Sequence, residues 1–307
     1  MPILKAIRFL SKEGLKKTHP FERVSIIGVG LLGGSLAKVL RKLGLAKSII
    51  GYGRNKANLN EAKKLNIIDD VAPDIQSAAK DTDLIVFCSP VQTIGQLAME
   101  MGPHIKPGCL VTDVGSTKET LISEIEKFFP EGISFIGAHP IAGGEMSGFR
   151  LSSDTLFDGA HCILTPTGKT DPESLKRAIE LWKTIGMQVS IMDPKEHDFI
   201  FGAVSHLPHV LIFALMNTLG GLKSENYDQI TSFSGSGLRD ITRLAASEPA
   251  MWRDICVSNK DFILYFLDQF QETLSHLRSG IEQENSALLT QQFEIANQHR
   301  LNLVSKI

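Results

Sequence analysis

Cysteine is scarce in this chain. Cys88, Cys109, Cys162 and Cys256 are the only four among 307 residues, and they stand far apart with no paired spacing. That excludes a disulfide frame and a cysteine zinc site, and fits reduced thiols in a cytoplasmic protein. Excess charge is lacking too. The net charge of −2 offers no global field for nucleic acid or an anionic membrane, so an anionic substrate must be met by local arginines. The N-terminal "MPILKAIRFLSKEGLKK" lacks the long apolar core and small-residue cleavage site of a signal peptide. With Ile3, Ile7 and Leu10 able to line one face of a short helix, residues 1–20 read as a surface extension packed on the body.

One stretch lacks charge altogether. Phe199 to Leu222 is 24 residues without Asp, Glu, Lys or Arg, long enough to cross a bilayer. Ser205, His206, His209 and Asn217 interrupt it, Pro208 sits inside it, and no basic cluster flanks it. The stretch therefore reads as a helix buried on nearly all sides, in a domain core or a dimer interface, and no membrane contact is expected.

What is present is the composition of a soluble globular chain, 43% hydrophobic and 21% charged, with length enough for two domains. Short β-rich runs at 23–29, 48–52, 83–89, 109–114, 134–138, 161–166 and 188–192 alternate with helical runs such as 31–44, which closes on Gly44. That alternation implies a Rossmann-type α/β domain with a mostly parallel, doubly wound sheet. After Asp193-Pro194 the chain turns all-helical, which divides it into residues 1–193 and 194–307. Ile263, Leu267, Phe270, Leu274, Leu277 and Ile281 recur at heptad-like spacing and predict a packing face on one long helix.

"GVGLLG" places Gly28, Gly30 and Gly33 between a strand and a helix, the context in which G-x-G-x-x-G binds a dinucleotide. Gly28 permits the tight turn, Gly30 the approach of a pyrophosphate to the helix N-terminus, and Gly33 close packing of helix on strand. Leu31 and Leu32 open that helix. An acidic residue at the end of the second strand would bind the ribose hydroxyl of NAD, and it is missing: "GYGRN" offers Gly53 and Arg54. NADP is thereby favoured, with NAD not excluded. Strand ends contribute further polar residues: Ser89 and Pro90, then Asp113, Ser116 and Lys118, then His139 and Glu145. Each could be ordinary turn chemistry, but they share the carboxyl edge of the sheet, where ligands of open α/β folds bind.

The helical half adds "VSHLPH", with Ser205 and His209 four apart on one face and Pro208 able to kink the helix. No third ligand set accompanies the histidines, so no metal is expected, and His206 could equally be a core residue satisfied by its neighbours. In "GSGLRDITR", Arg239 and Arg243 lie four apart and suit a carboxylate-bearing ligand, or else a surface ion-pair network.

Together, "IIGVGLLGGSLA", "SPV", "TDVGSTK", "GAHPIAGGEMSG", "FGAVSHLPH", "GLRDITRLA" and "MWRDI" resemble the prephenate dehydrogenase family, in family order from about residue 24 to 255. The resemblance implies a nucleotide-binding domain followed by a helical dimerisation domain. It also implies oxidative decarboxylation of prephenate to 4-hydroxyphenylpyruvate with hydride transfer to NAD(P), in tyrosine biosynthesis; some members use arogenate instead and give tyrosine directly. In that reading His139 accepts the proton of the ring hydroxyl, and Ser116 helps hold that hydroxyl. Arg243 pairs with the ring carboxylate, and His209 and Ser205 position the substrate. Glu145 shapes the side-chain end of the pocket, and Arg239 matches a basic position. Gly28, Gly30, Leu31, Leu32, Gly33, Arg54, Ser89, Pro90 and Asp113 fall to the cofactor. The segment after Ile281 is expected to be too short for a separate regulatory domain. A β-hydroxyacid dehydrogenase would need a catalytic lysine in the helical half, and Lys195, Lys223 and Lys260 lack that context. A nucleotide-sensing protein that keeps the fold without chemistry would leave His139 and Arg243 unexplained.

Overall fold

The computed structural model describes residues 20–144, 148–222 and 224–305. The N-terminal extension expected over residues 1–20 therefore lies, but for its last residue, outside the described residues, as does Glu145.

Eight strands form one sheet in the order β3-β2-β1-β4-β5-β6-β7-β8. They are β1 (Phe21–Ile27), β2 (Ala46–Tyr52), β3 (Asp70–Val71), β4 (Leu84–Phe87), β5 (Leu110–Asp113), β6 (Phe135–Pro140), β7 (His161–Thr165) and β8 (Gln188–Ile191). All neighbours are parallel except β6 and β7, which run antiparallel. The central strands β4 and β5 are buried along their whole length, as their unbroken apolar runs require in a sheet covered on both faces.

Two apolar layers hold the sheet. One side gathers Val24, Ile26, Leu36, Leu40 and Trp182, the other Ile27, Ile85, Phe87, Ile94 and Ile122. Each large side chain so buried contributes about 1.5–3 kcal/mol. The crossover helices include α1 (Leu31–Lys42), α4 (Val91–Met101), α5 (Glu119–Ile125) and α6 (Pro172–Ile185), with α2 (Lys56–Lys64) and α3 (Ile75–Ala79) between them. Their ends follow local chemistry. Gly44, just past α1, takes φ +65, and Asp171 caps α6 by accepting the N–H of Ser174.

Beyond β8 the chain is helical: α7 (Pro194–Phe201), α8 (Leu207–Gly220), α9 (Ser224–Ser232), α10 (Ser236–Thr242), α11 (Pro249–Ser258), α12 (Lys260–Glu282) and α13 (Ser286–Val304). Asp193 caps α7 through the N–H groups of Lys195 and Glu196. A π-helical stretch, Gly202–His206, joins α7 to α8 just before Pro208, where the proline withholds its N–H and the ladder must re-register. The helical half docks on the sheet domain partly through Ser258, whose hydroxyl accepts from Gln92 Nε2 at 3.3 Å and whose carbonyl accepts from Thr120 Oγ1 at 3.3 Å.

One expectation needs correction. The uncharged stretch is not enclosed within the chain: most of it belongs to one helical rod, Pro194–Gly220, long and apolar enough to cross a membrane, and α8 has no buried residue. Within the chain α8 is contacted by α10 with the turn after it and by α12, and these leave its residues partly buried at most. A domain core is thereby excluded as the explanation of its apolar character. The predicted seam behaves similarly. Ile263 is buried against its own chain, whereas Leu274 and Ile281 on the same face of α12 are 52% and 64% exposed.

Candidate active site

The glycine turn has the shape a dinucleotide needs. Gly28 takes φ +105, and a Cβ there would meet the backbone of Cys88 and Ser89 at 2.7 Å, so β1 and the end of β4 approach as only glycine allows. A Cβ on Gly33 would overlap the carbonyl oxygen of Gly28. At Gly30 nothing lies within 4 Å of a would-be Cβ, and no side chain caps the helix that starts at Leu31. This open cradle before the N–H groups of α1 fits a pyrophosphate. Leu31 and Leu32 are half-buried at its rim, and Leu32 packs on the core. Ser89 and Pro90 form the opposite lip, where Thr93 Oγ1 donates to the Pro90 carbonyl at 2.7 Å. Arg54 is exposed on the turn after β2, next to Asn55, the cap of α2.

Asp113, which the family resemblance gives to the cofactor, is wholly buried. Its Oδ1 accepts from the N–H of Ala138 at 2.9 Å, and its Oδ2 accepts from the N–H of Gly115 at 2.8 Å and pairs with the buried Lys118 ammonium. Asp113 thus pins the turn 114–118 to β6. A buried carboxylate must spend its lone pairs in this way, and nothing in its sequence position separates that duty from ligand binding. Ser116 sits half-buried on that pinned turn.

His139 lies on β6, half-buried, at the edge that also carries the ends of β1, β4 and β5. Its Nδ1 is 2.8 Å from Nε2 of His197 on α7, and Nδ1 of His197 is 2.8 Å from Oδ1 of Asp198. Phe201, one turn further along α7, packs on both imidazoles at centroid distances of 4.7 and 4.5 Å. The Asp198 carboxylate also accepts the backbone N–H of Lys118 at 2.8 Å and of Glu119 at 2.9 Å. Asn259 donates to the Asp198 carbonyl at 2.8 Å and lies 2.9 Å from Nδ1 of His206. His206 is accordingly a buried core histidine with a partner.

The electrostatics follow from burial. Removing the His139 ring from water, with His197, Lys118 and His206 nearby, holds its pKa well below the usual 6.5. Burial likewise lowers His197, against the opposing pull of Asp198, and brings His206 down to about 4. The imidazoles are therefore neutral at neutral pH.

His209 Nδ1 donates to the carbonyl of Ser205 at 2.9 Å, and its ring stacks on Trp252 at 3.7 Å. Burial and the nearby Arg243 guanidinium lower its pKa. Arg243 stands at the start of the turn that follows α10. Arg239 lines a groove with Met216, Tyr227, Ile230 and Leu238. Sequence reading missed His197, Asp198, Trp252 and Asn259 as parts of this constellation. Among the described residues, no group of three or more His, Cys, Asp or Glu could hold a metal ion.

Residues 36–191 match the profile of "Prephenate dehydrogenase, nucleotide-binding domain", and residues 193–295 match that of "Prephenate dehydrogenase, dimerization domain". The chain belongs to the prephenate dehydrogenase family. Within the family it is 36% identical over 281 residues to prephenate dehydrogenase of Bacillus subtilis, covering 91% of this chain and 75% of that one. It is 32% identical over 283 residues to cyclohexadienyl dehydrogenase of Zymomonas mobilis, covering 92% and 96%. Among solved structures, prephenate dehydrogenase from A. aeolicus in complex with hydroxyphenyl propionate and NAD+ superposes with a TM-score of 0.84 at 36% identity, covering 95% of this chain and 100% of that chain.

Proposed function

We propose that this protein oxidises prephenate to 4-hydroxyphenylpyruvate with loss of CO2, in tyrosine biosynthesis. The observation that carries the reading is the half-buried His139, its Nδ1 2.8 Å from Nε2 of His197, at the carboxyl edge of a dinucleotide-type sheet in a chain of this family.

His139 takes the proton of the ring C4 hydroxyl as the C4–H bond breaks with its electron pair. A nicotinamide nucleotide, when bound, supplies the acceptor for that hydride. The carbon–carbon bond to the ring carboxylate then breaks, its electrons enter the ring, CO2 leaves, and the ring oxygen recovers the proton from His139. No net proton is released. An imidazole of lowered pKa suits this loan, because its conjugate acid gives the proton back readily. Ser116 holds the hydroxyl. Arg243 pairs with the ring carboxylate, whose bidentate geometry matches a guanidinium. Ser205 and His209 position the substrate, Glu145 serves its side-chain end, and Arg239 is a further basic substrate-binding residue. Gly28, Gly30 and Gly33 cradle the nucleotide, and the exposed Arg54 supports NADP over NAD.

The working unit is a homodimer. Support comes from the uncovered flank of α8, the open seam of α12, and Phe233 and Leu301, which are 83% and 65% exposed. The four free thiols support a cytoplasmic setting.

The test crosses prephenate and arogenate with NAD and NADP in an assay of reduced-nicotinamide absorbance. Turnover with prephenate upholds the reading. Turnover with arogenate alone moves the enzyme to the other branch, and no turnover in any combination rejects it.

A further inference from the structure

We infer that His197 and Asp198 are positioning residues for the base: together they fix His139 in the tautomer that carries its proton on Nδ1 and keeps Nε2 as the lone-pair acceptor. The inference rests on His139 being the base of the proposed reaction.

The argument runs outward from Asp198. Its carboxylate already accepts two backbone N–H groups, from Lys118 and Glu119, and is nearly inaccessible to solvent. Facing Nδ1 of His197 at 2.8 Å, it can only accept, so that nitrogen carries the proton. A neutral His197 then presents Nε2 as an acceptor. His139 Nδ1, 2.8 Å away, must donate to it. The second nitrogen of His139 is left bare, which is the form a proton acceptor requires. When His139 takes the substrate proton on Nε2, its Nδ1–H bond to His197 persists, and no proton need travel along the chain. The arrangement does for an imidazole base what a buried carboxylate does in a Ser-His-Asp triad, with a second imidazole interposed. Phe201 clamps both rings and limits their rotation. Through the same carboxylate Asp198 holds the backbone beside Ser116. One residue of the helical domain thereby registers both the base and the turn that carries the hydroxyl-binding serine.

Two measurements test this. The first is 15N NMR of the full chain with labelled histidine, at neutral pH and without substrate. His139 and His197 should both show protonated Nδ1 and bare Nε2; a protonated Nε2 on either ring overturns the inference. This readout needs no turnover, so its failure is distinct from failure of the prephenate reading. The second compares His197→Gln, whose side-chain oxygen can still accept from His139, with His197→Phe, which keeps a ring but no acceptor. His197→Phe should lower kcat by about a hundredfold or more while KM for the nucleotide stays within about twofold, and His197→Gln should recover at least about tenfold of that loss. Equal losses in both variants, a parallel rise in nucleotide KM, or near-normal kcat in His197→Phe would assign His197 to packing alone.

Discussion

The ring of His209 lies flat on the indole of Trp252, with centroids 3.7 Å apart and planes 19° from parallel. The hydrogen bond from His209 Nδ1 to the Ser205 carbonyl fixes the other degree of freedom, so the imidazole is held by its face and by one edge. Trp252 is therefore the platform for His209, the residue proposed to position the substrate. Trp252→Phe keeps an aromatic ring but reduces the stacked area. The loss of a good aromatic stack, about 0.5–1.5 kcal/mol, should raise the substrate KM roughly two- to twelvefold with kcat little changed. Steady-state kinetics reads this directly, and an unaltered KM would separate Trp252 from substrate positioning.

Arg243 neighbours His209 closely enough for its charge to depress the imidazole's pKa. Replacing it with glutamine leaves a hydrogen-bonding group but no charge for the ring carboxylate. Losing a charged hydrogen bond costs about 1.5–3 kcal/mol, so Arg243→Gln should raise the substrate KM by roughly ten- to a hundredfold. An unchanged KM would reject the carboxylate role.

Arg54 is exposed on the turn after β2, where a 2′-phosphate would meet it and where no acidic residue competes. Arg54→Asp reverses the charge facing that phosphate. The KM for NADP should rise at least about tenfold more than the KM for NAD. Equal changes for both nucleotides would show that Arg54 does not read the phosphate.

Stability should fall on mild acidification. His206 titrates near 6.5 when unfolded and is brought by burial to about 4 in the fold, and His139 and His197 shift in the same direction. Between those values the unfolded chain binds protons that the native state refuses. Stability is thus at its full value above about pH 6.5 and is lost as the pH falls towards 4, by about 3 kcal/mol for His206 alone. Urea midpoints at pH 7 and pH 4.5 measure the slope, and equal midpoints would contradict it.

How far the residues revealed this arrangement depended on range. Every strand read from an apolar run is in the sheet, and the one that was missed, Asp70–Val71, is too short to show a period. The glycine turn was legible because its demands are local: Gly28 needs positive φ and Gly33 needs room, and both are met within six residues. Asp113 and His139 stood alike at strand ends, yet one faces inward as a structural pin and the other faces its partner on α7. The pairing of His139 with His197 spans 58 residues and exists only because α7 closes over β6. The adjacent His-Asp pair, polar residues just ahead of a long uncharged run, was the available signal, since such residues survive burial only when paired. Apolar character in α8 was evident, but its partner was not, because composition shows that a face must be covered without showing by what.

The most direct test of the account is the His139→Asn variant assayed for prephenate turnover beside nucleotide binding. Asparagine keeps a polar side chain near the Nδ1 position and supplies no base. The account predicts a fall in kcat of about a hundred- to ten-thousandfold with the nucleotide Kd unchanged. A kcat within about threefold of the parent enzyme would remove His139 from the chemistry, and with it the mechanism built on this site.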